Sequence, residues 1–143
     1  MLFRSRWCYP RARRWLLEAD CGGANGYRSW AWRVALQRLA DRWQVAITVT
    51  HYPPGASKWN LIEHRLFSRI SGNWQGEPLR DYETVLNFIR TTTTETGLRC
   101  RAVLDTAAYP TRVKITAAER RWVRLRRHRT LPQWNYTITP HRK

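Results

Sequence analysis

The sequence predicts an α/β domain, on three observations. Short apolar or β-branched runs stand at Arg14–Ala19 and Val45–Thr50, a run with helical apolar spacing lies between them, and Pro/Gly-rich breaks at Cys21–Gly26, Tyr52–Gly55 and Gly72–Pro78 separate the elements. Strands alternating with helices build a sheet covered by helices. A chain of 143 residues is long enough for one domain with a core, the usual domain being about 100 to 200 residues.

Each element has a local cause. Trp15-Leu16-Leu17 followed by Asp20-Cys21-Gly22-Gly23 reads as a buried strand entering a glycine loop. Ser29 to Trp43 reads as a helix, because Trp32, Leu36, Leu39 and Trp43 recur at i, i+4, i+7 and i+11, with Arg38 and Arg42 elsewhere around the axis. Val45 to Thr50 is the second strand. His51-Tyr52-Pro53-Pro54-Gly55 is expected outside any helix or sheet interior, because proline removes a backbone donor. Asn60 is a good N-cap for a helix to about Asn73, with Ile62, Leu66 and Ile70 on one face. Tyr82, Val85, Leu86 and Ile89 predict a further helix, and Arg99 to Leu104 a strand. Thr116-x-x-Glu119 is a capping box opening a basic helix to about Arg127.

Composition narrows the partner. The 26 basic residues are almost all Arg and outnumber 10 Asp and Glu, leaving a net charge of +16. Such an excess points to a polyanion. Nine Trp and 43% apolar residues argue that a folded surface carries it rather than a disordered tail. No run approaches the ~18 apolar residues of a membrane span, and Met1-Leu2-Phe3-Arg4-Ser5-Arg6 has no apolar segment for secretion, so a cytoplasmic protein without membrane contact is expected. Cys8, Cys21 and Cys100 lack disulfide or zinc spacing and read as reduced thiols.

Two acids stand out by placement. Asp20 ends a strand beside glycines, where α/β sheets open their ligand crevices, and Glu63 lies in the first turn of a helix after a Pro-Gly loop. Carboxylates from separate elements suit divalent metal ions, which stabilise the attacking and leaving oxygens of a phosphodiester. Bland readings stand beside these: Asp before Gly-Gly also forms Asx turns, and Asn60-x-x-Glu63 also has capping-box spacing. His51 and His64 have no second His or Cys at zinc spacing and read as loop or surface residues. In the last basic helix, Ala118, Trp122 and Leu125 would face the core, with Arg120, Arg124 and Arg127 at i, i+4 and i+7 opposite. That face fits phosphate contact or plain solvation. Trp30, Trp59 and Trp74 fit base stacking or, more commonly, core packing.

The run from Ala19 to Ser29 and the run His51-Tyr52-Pro53-Pro54-Gly55-Ala56-Ser57-Lys58-Trp59-Asn60-Leu61-Ile62-Glu63-His64-Arg65-Leu66-Phe67 resemble the Rhodopirellula-type, or Azo-type, insertion-sequence transposases. The second run is also similar to the Pro-Pro…Asn-x-Ile-Glu signature of the wider Tc/mariner group. Thr91 to Leu98, Leu104-Asp105-Thr106 with Tyr109-Pro110, and Trp134-Asn135-Tyr136-Thr137 extend the resemblance in order from Tyr9 to Pro140. It implies an RNase H-like fold, with Asp20 in the place of the second catalytic acid and Glu63 in that of the third. Both would hold Mg²⁺, with Mn²⁺ as substitute, for cleavage and strand transfer on double-stranded DNA at transposon ends and target. Lys58, Arg65, Arg120, Arg124 and Arg127 are the expected DNA contacts.

The chain departs from the family pattern before and at Glu18. Family enzymes carry the first Asp upstream on an opening strand, and no Asp or Glu precedes Glu18 here. Residues 1–143 are therefore expected to be the C-terminal part of a DDE catalytic domain, incomplete without its opening strands and inactive alone. An upstream transposase segment or a homo-oligomer would complete it. Glu18 stands where an uncharged residue is expected, on the same strand face as Asp20. A catalytically dead DNA-binding remnant is the rival reading, favoured by the missing acid. A basic RNA-binding structural protein would explain the charge but not the Pro-Pro…Asn-x-Ile-Glu pattern.

Overall fold

The computed structural model describes residues 8–110 and 113–142, without the side chains of Ser57 and Ile62. The Met1–Arg6 start read for a secretion signal, and the Ile62 side chain assigned to a helix face, lie outside the described residues. Strand β1 (Arg14–Ala19) leads through a 3-10 turn at Gly23–Asn25 into helix α1 (Trp30–Trp43), and β2 (Ala46–His51) returns parallel to β1 with His51 opposite Ala19. The helical crossover is what allows two adjacent parallel strands. Ser29 starts α1 by accepting the Trp32 N–H at 3.2 Å, and a left-handed Gln44, φ 51°, ends it.

Helices α2 (Leu61–Asn73), α3 (Tyr82–Thr91) and α4 (Ala117–Trp122) follow, then β3 (Leu125–Arg127) and β4 (Asn135–Ile138). The sheet order is β1-β2-β4-β3, with β4 antiparallel to both neighbours, so the sheet is mixed. The chain divides into two compact units, Met1–Ser57 with Arg112–Lys143 and Lys58–Thr111. The first holds the sheet, α1 and α4. Its core joins Val34, Leu36 and Ala40 of α1 to Val45, Ile47, Val49, Val123, Tyr136 and Ile138. The second holds α2 and α3, pinned where Asn73 Nδ2 donates to the Phe88 carbonyl at 2.7 Å, with Ile70 and Leu86 buried.

Several elements differ from expectation. Strand β1 is only half-buried: Ala19 is buried and Trp15 and Leu17 partly so, but Leu16, on the opposite face by strand alternation, is 63% exposed. The α1 stripe is wider than its apolar residues, since Arg33 and Gln37 are buried beside Leu36 and Ala40 while Trp32, Leu39 and Trp43 are partly covered. Tyr82 faces out of α3. Arg99 to Leu104 forms no strand; one bridge, Thr93 to Arg99, is all the pairing it finds, and Val103 is 87% exposed. A strand without a ladder partner leaves its backbone to water.

The basic helix also stops early, at Trp122. Arg124 N–H donates to the buried Gln37 Oε1 at 2.8 Å, and Leu125 then pairs with Ile138, so the chain turns from helix to sheet. Arg120, Arg124 and Arg127 consequently do not share one helix face. Strand β4, the partner that captures this segment, was not foreseen.

Gln37 also donates to the Thr139 carbonyl at 3.0 Å and to Asp41 Oδ1 at 2.9 Å, and Asp41 in turn accepts the His141 N–H at 2.7 Å. Partial burial alone would raise the Asp41 pKa, but the His141 and Gln37 hydrogen bonds outweigh it and hold the carboxyl below its ordinary value. A carboxylate depressed in the folded state contributes stability that is present above its unfolded pKa and lost as pH falls through the folded one. Asp41→Asn is thus expected to lower the melting temperature at neutral pH and to cost progressively less below the ordinary carboxylate range. Melting curves across pH check this; a penalty equally large in strong acid would contradict it.

Candidate functional site

Asp20 follows β1 directly, and its neighbours are tied to the end of β2. Tyr52 N–H donates to the Ala19 carbonyl at 2.8 Å, His51 Nδ1 lies 3.1 Å from the Asp20 carbonyl, and Cys21 Sγ donates to the Tyr52 carbonyl at 2.8 Å. The Asp20 carboxylate itself accepts no hydrogen bond from any described residue. It borders a cavity of about 320 Å³ lined by Asp20–Gly22 and Tyr52–Gly55. The glycine at 22 leaves it room, since a Cβ there would meet Asp20 Oδ2 at 3.2 Å. At the other wall Gly55, φ +81°, turns the chain after two prolines that offer no backbone donor.

His51 corrects its sequence reading, being the last residue of β2 and only 5% exposed. Its Nε2 meets the Tyr136 hydroxyl at 3.2 Å. Burial pulls its pKa below the ordinary imidazole value against the Asp20 carbonyl, and the Arg33 charge adds to the fall. Arg33, itself buried, donates to the Tyr27 carbonyl at 2.6 Å, with its guanidinium 5.4 Å from the Tyr136 ring centre. Glu18 is exposed and accepts the Tyr52 hydroxyl at 3.4 Å. Cys8, Cys21 and Cys100 are free thiols.

Glu63 lies in the first turn of α2, in the other unit. Its N–H donates to Asn60 Oδ1 at 3.5 Å, so Asn60 caps the helix as expected. The reciprocal half of a capping box is missing: the Glu63 carboxylate accepts nothing from the described residues. In α4, by contrast, Glu119 Oε2 accepts the Thr116 N–H at 2.9 Å, completing the box. Helix start therefore leaves Glu63's oxygens unused. Asp20 and Glu63 each present a hard, unpartnered carboxylate, the donor type that Mg²⁺ takes. Among the described residues no three His, Cys, Asp or Glu side chains gather as a metal cluster.

The expected DNA contacts fall in both units. Arg65 lines a cavity of about 460 Å³ with Ser68, Arg69, Thr94 and Thr96. Arg69 went unnoticed in the sequence, although it follows Arg65 at i+4, the spacing of helix neighbours. Lys58 Nζ lies 5.5 Å from the ring centre of Trp59, which is 66% exposed rather than core. Trp30 and Trp74 are half-buried, Trp30 beneath both Arg33 and Arg120. Arg28, Lys114 and Arg120 border a further concavity beside Trp30, the first two also missed. Arg124 and Arg127 donate to the Pro140 and Pro132 carbonyls at 3.3 and 3.1 Å.

No helix among the described residues is long and apolar enough to cross a membrane. Residues 3–140 match the family described as the Rhodopirellula transposase DDE domain. No curated protein and no solved structure matches the chain.

Proposed function

From the premise that the chain belongs to the Rhodopirellula transposase DDE domain family, we propose that Asp20 and Glu63 are its second and third catalytic acids, serving DNA cleavage and strand transfer at insertion-sequence ends. The observation that carries this is the pair of carboxylates left without hydrogen-bond partners among the described residues, one on a loop whose neighbouring polar groups are tied down and one in a helix start that does not use it. Divalent cations held by these acids, Mg²⁺ or Mn²⁺ in its place, would supply charge stabilisation to the attacking and leaving oxygens of the phosphodiester. Asp20 and Glu63 contribute the negative charge and hard oxygens, and Gly22 keeps the space over Asp20 open. The DNA backbone is met by Arg65 and Arg69 in one unit and by Arg120, with Arg28 and Lys114, in the other.

Replacement by amides tests the metal reading, because Asn and Gln preserve shape and most hydrogen bonding but remove the charge. Asp20→Asn and Glu63→Gln are each expected to weaken Mn²⁺ binding by at least about tenfold, the scale on which supporting residues of metal sites already act, with unchanged melting temperature. Wild-type Mn²⁺ affinity in Glu63→Gln would reduce that residue to a helix-start side chain. The same result for Asp20→Asn would remove the metal site from β1.

No Asp or Glu precedes Glu18, so Asp20 and Glu63 are the two family acids placed here within residues 1–143. The outer edge of β1 is unpaired among the described residues.

A further inference from the structure

We propose that His51 and Tyr136 are positioning residues for Asp20: the Tyr136 hydroxyl orients the His51 ring, and the ring pins the Asp20 carbonyl so that the carboxylate stays turned to the cavity it lines. The inference rests on reading Asp20 as a metal ligand.

The proton assignments follow from the partners. A carbonyl oxygen only accepts, so Nδ1, 3.1 Å from the Asp20 oxygen, must carry the proton. In the neutral ring Nε2 is then an acceptor, and the Tyr136 O–H 3.2 Å away is its donor. Burial also pushes the Tyr136 phenol up, keeping it protonated. With both nitrogens engaged the ring cannot flip without losing both bonds. Metal-site residues are commonly steadied in this way by groups that never touch the ion.

Chain geometry makes the His51 contact the middle of three. Ala19 is held through its carbonyl by Tyr52 N–H, Asp20 through its carbonyl by His51, and Cys21 through its thiol by the Tyr52 carbonyl. Three consecutive residues are gripped, while the Asp20 carboxylate accepts no hydrogen bond among the described residues. Core packing does not require this chemistry. Tyr136 is 0% exposed at the centre of β4, where Phe would fill the space without the cost of burying a hydroxyl.

The test measures Mn²⁺ affinity and melting temperature of the 143-residue chain in four variants. Tyr136→Phe and His51→Gln are expected to weaken Mn²⁺ binding about tenfold, within the range for groups supporting a metal ligand. His51→Asn places its amide nitrogen near the Nδ1 position and keeps a donor for the Asp20 carbonyl, so most of the affinity should return. Thr137→Val, in the same strand as Tyr136, loses the bonds to Thr48 and His128, and should lower the melting temperature without moving Mn²⁺ affinity. Wild-type affinity in Tyr136→Phe, or an affinity that merely tracks melting temperature through all four, overturns the proposal. If His51→Gln does not fold, Tyr136→Phe decides, since it removes one oxygen from a ring that still packs. Asp20→Asn separates the two levels. Unchanged Mn²⁺ binding there sinks the metal reading itself, whereas weakened binding there beside wild-type binding in Tyr136→Phe sinks the positioning claim alone.

Discussion

Supercoiled plasmid incubated with the purified 143-residue chain in Mg²⁺ or Mn²⁺ is expected to remain supercoiled. In-line displacement at a phosphodiester needs metal ions fixed about 3.5 to 4 Å apart, and two carboxylates seldom hold that spacing where a third, bridging one would. No Asp or Glu precedes Glu18 in the sequence, and Glu18 itself is exposed and engaged by the Tyr52 hydroxyl. In the RNase H-like arrangement that the family implies, a further acid would end a strand lying beside β1. That edge is open among the described residues, and unpaired backbone donors and acceptors there invite pairing with another chain. The chain should therefore self-associate when purified, and an upstream segment bearing an Asp-ending strand, added in trans, should restore solubility first and nicking second. Robust cleavage by the monomer, lost in Asp20→Asn and Glu63→Gln, would show that the site is complete as it stands. No cleavage under any supplementation would favour the DNA-binding remnant.

What was legible in the sequence had a local cause. β1, α1, β2 and α2 appear within a residue or so of their predicted bounds, and α3 contains the four residues that predicted it, because apolar spacing, Ser29 and Asn60 caps and the Pro53-Pro54 break act over a few residues. The failures came from distant partners. Leu125 had helical spacing from Ala118 and Trp122, yet Ile138 draws it into a sheet, and Gln37 receives Arg124 where the helix would have run on. Arg99 to Leu104 had strand composition and found no strand to join. Asp20 and Glu63 were visible because strand ends and helix starts are marked locally. The support behind Asp20 was not, since His51 and Tyr136 stand 85 residues apart and meet only when β4 pairs with β2.

Binding of nonspecific duplex DNA should weaken steeply with salt, by about 0.9 log units per phosphate neutralised for each tenfold rise. With about six contacts the affinity would fall roughly a thousandfold between 50 and 200 mM. A single basic helix face would assign half of those contacts to Arg120, Arg124 and Arg127 together. The helix ends at Trp122, however, and Arg124 and Arg127 are tethered to the Pro140 and Pro132 carbonyls, so their guanidinium groups are not free to follow a phosphate. Arg65 and Arg69 line one concavity without a carboxylate partner among the described residues. Arg65→Ala with Arg69→Ala is accordingly expected to flatten the log–log slope by about 2, one contact each. Arg124→Ala with Arg127→Ala should flatten it much less while lowering the melting temperature, because each loses a bond that holds its own chain. Arg120→Ala alone should remove about one contact. Fluorescence anisotropy of a labelled duplex across a salt series, with melting curves on the same variants, separates these outcomes. Salt-independent binding would remove the DNA surface altogether; a slope lost with Arg124 and Arg127 but kept without Arg65 and Arg69 would return the contact to the β3 side of the molecule.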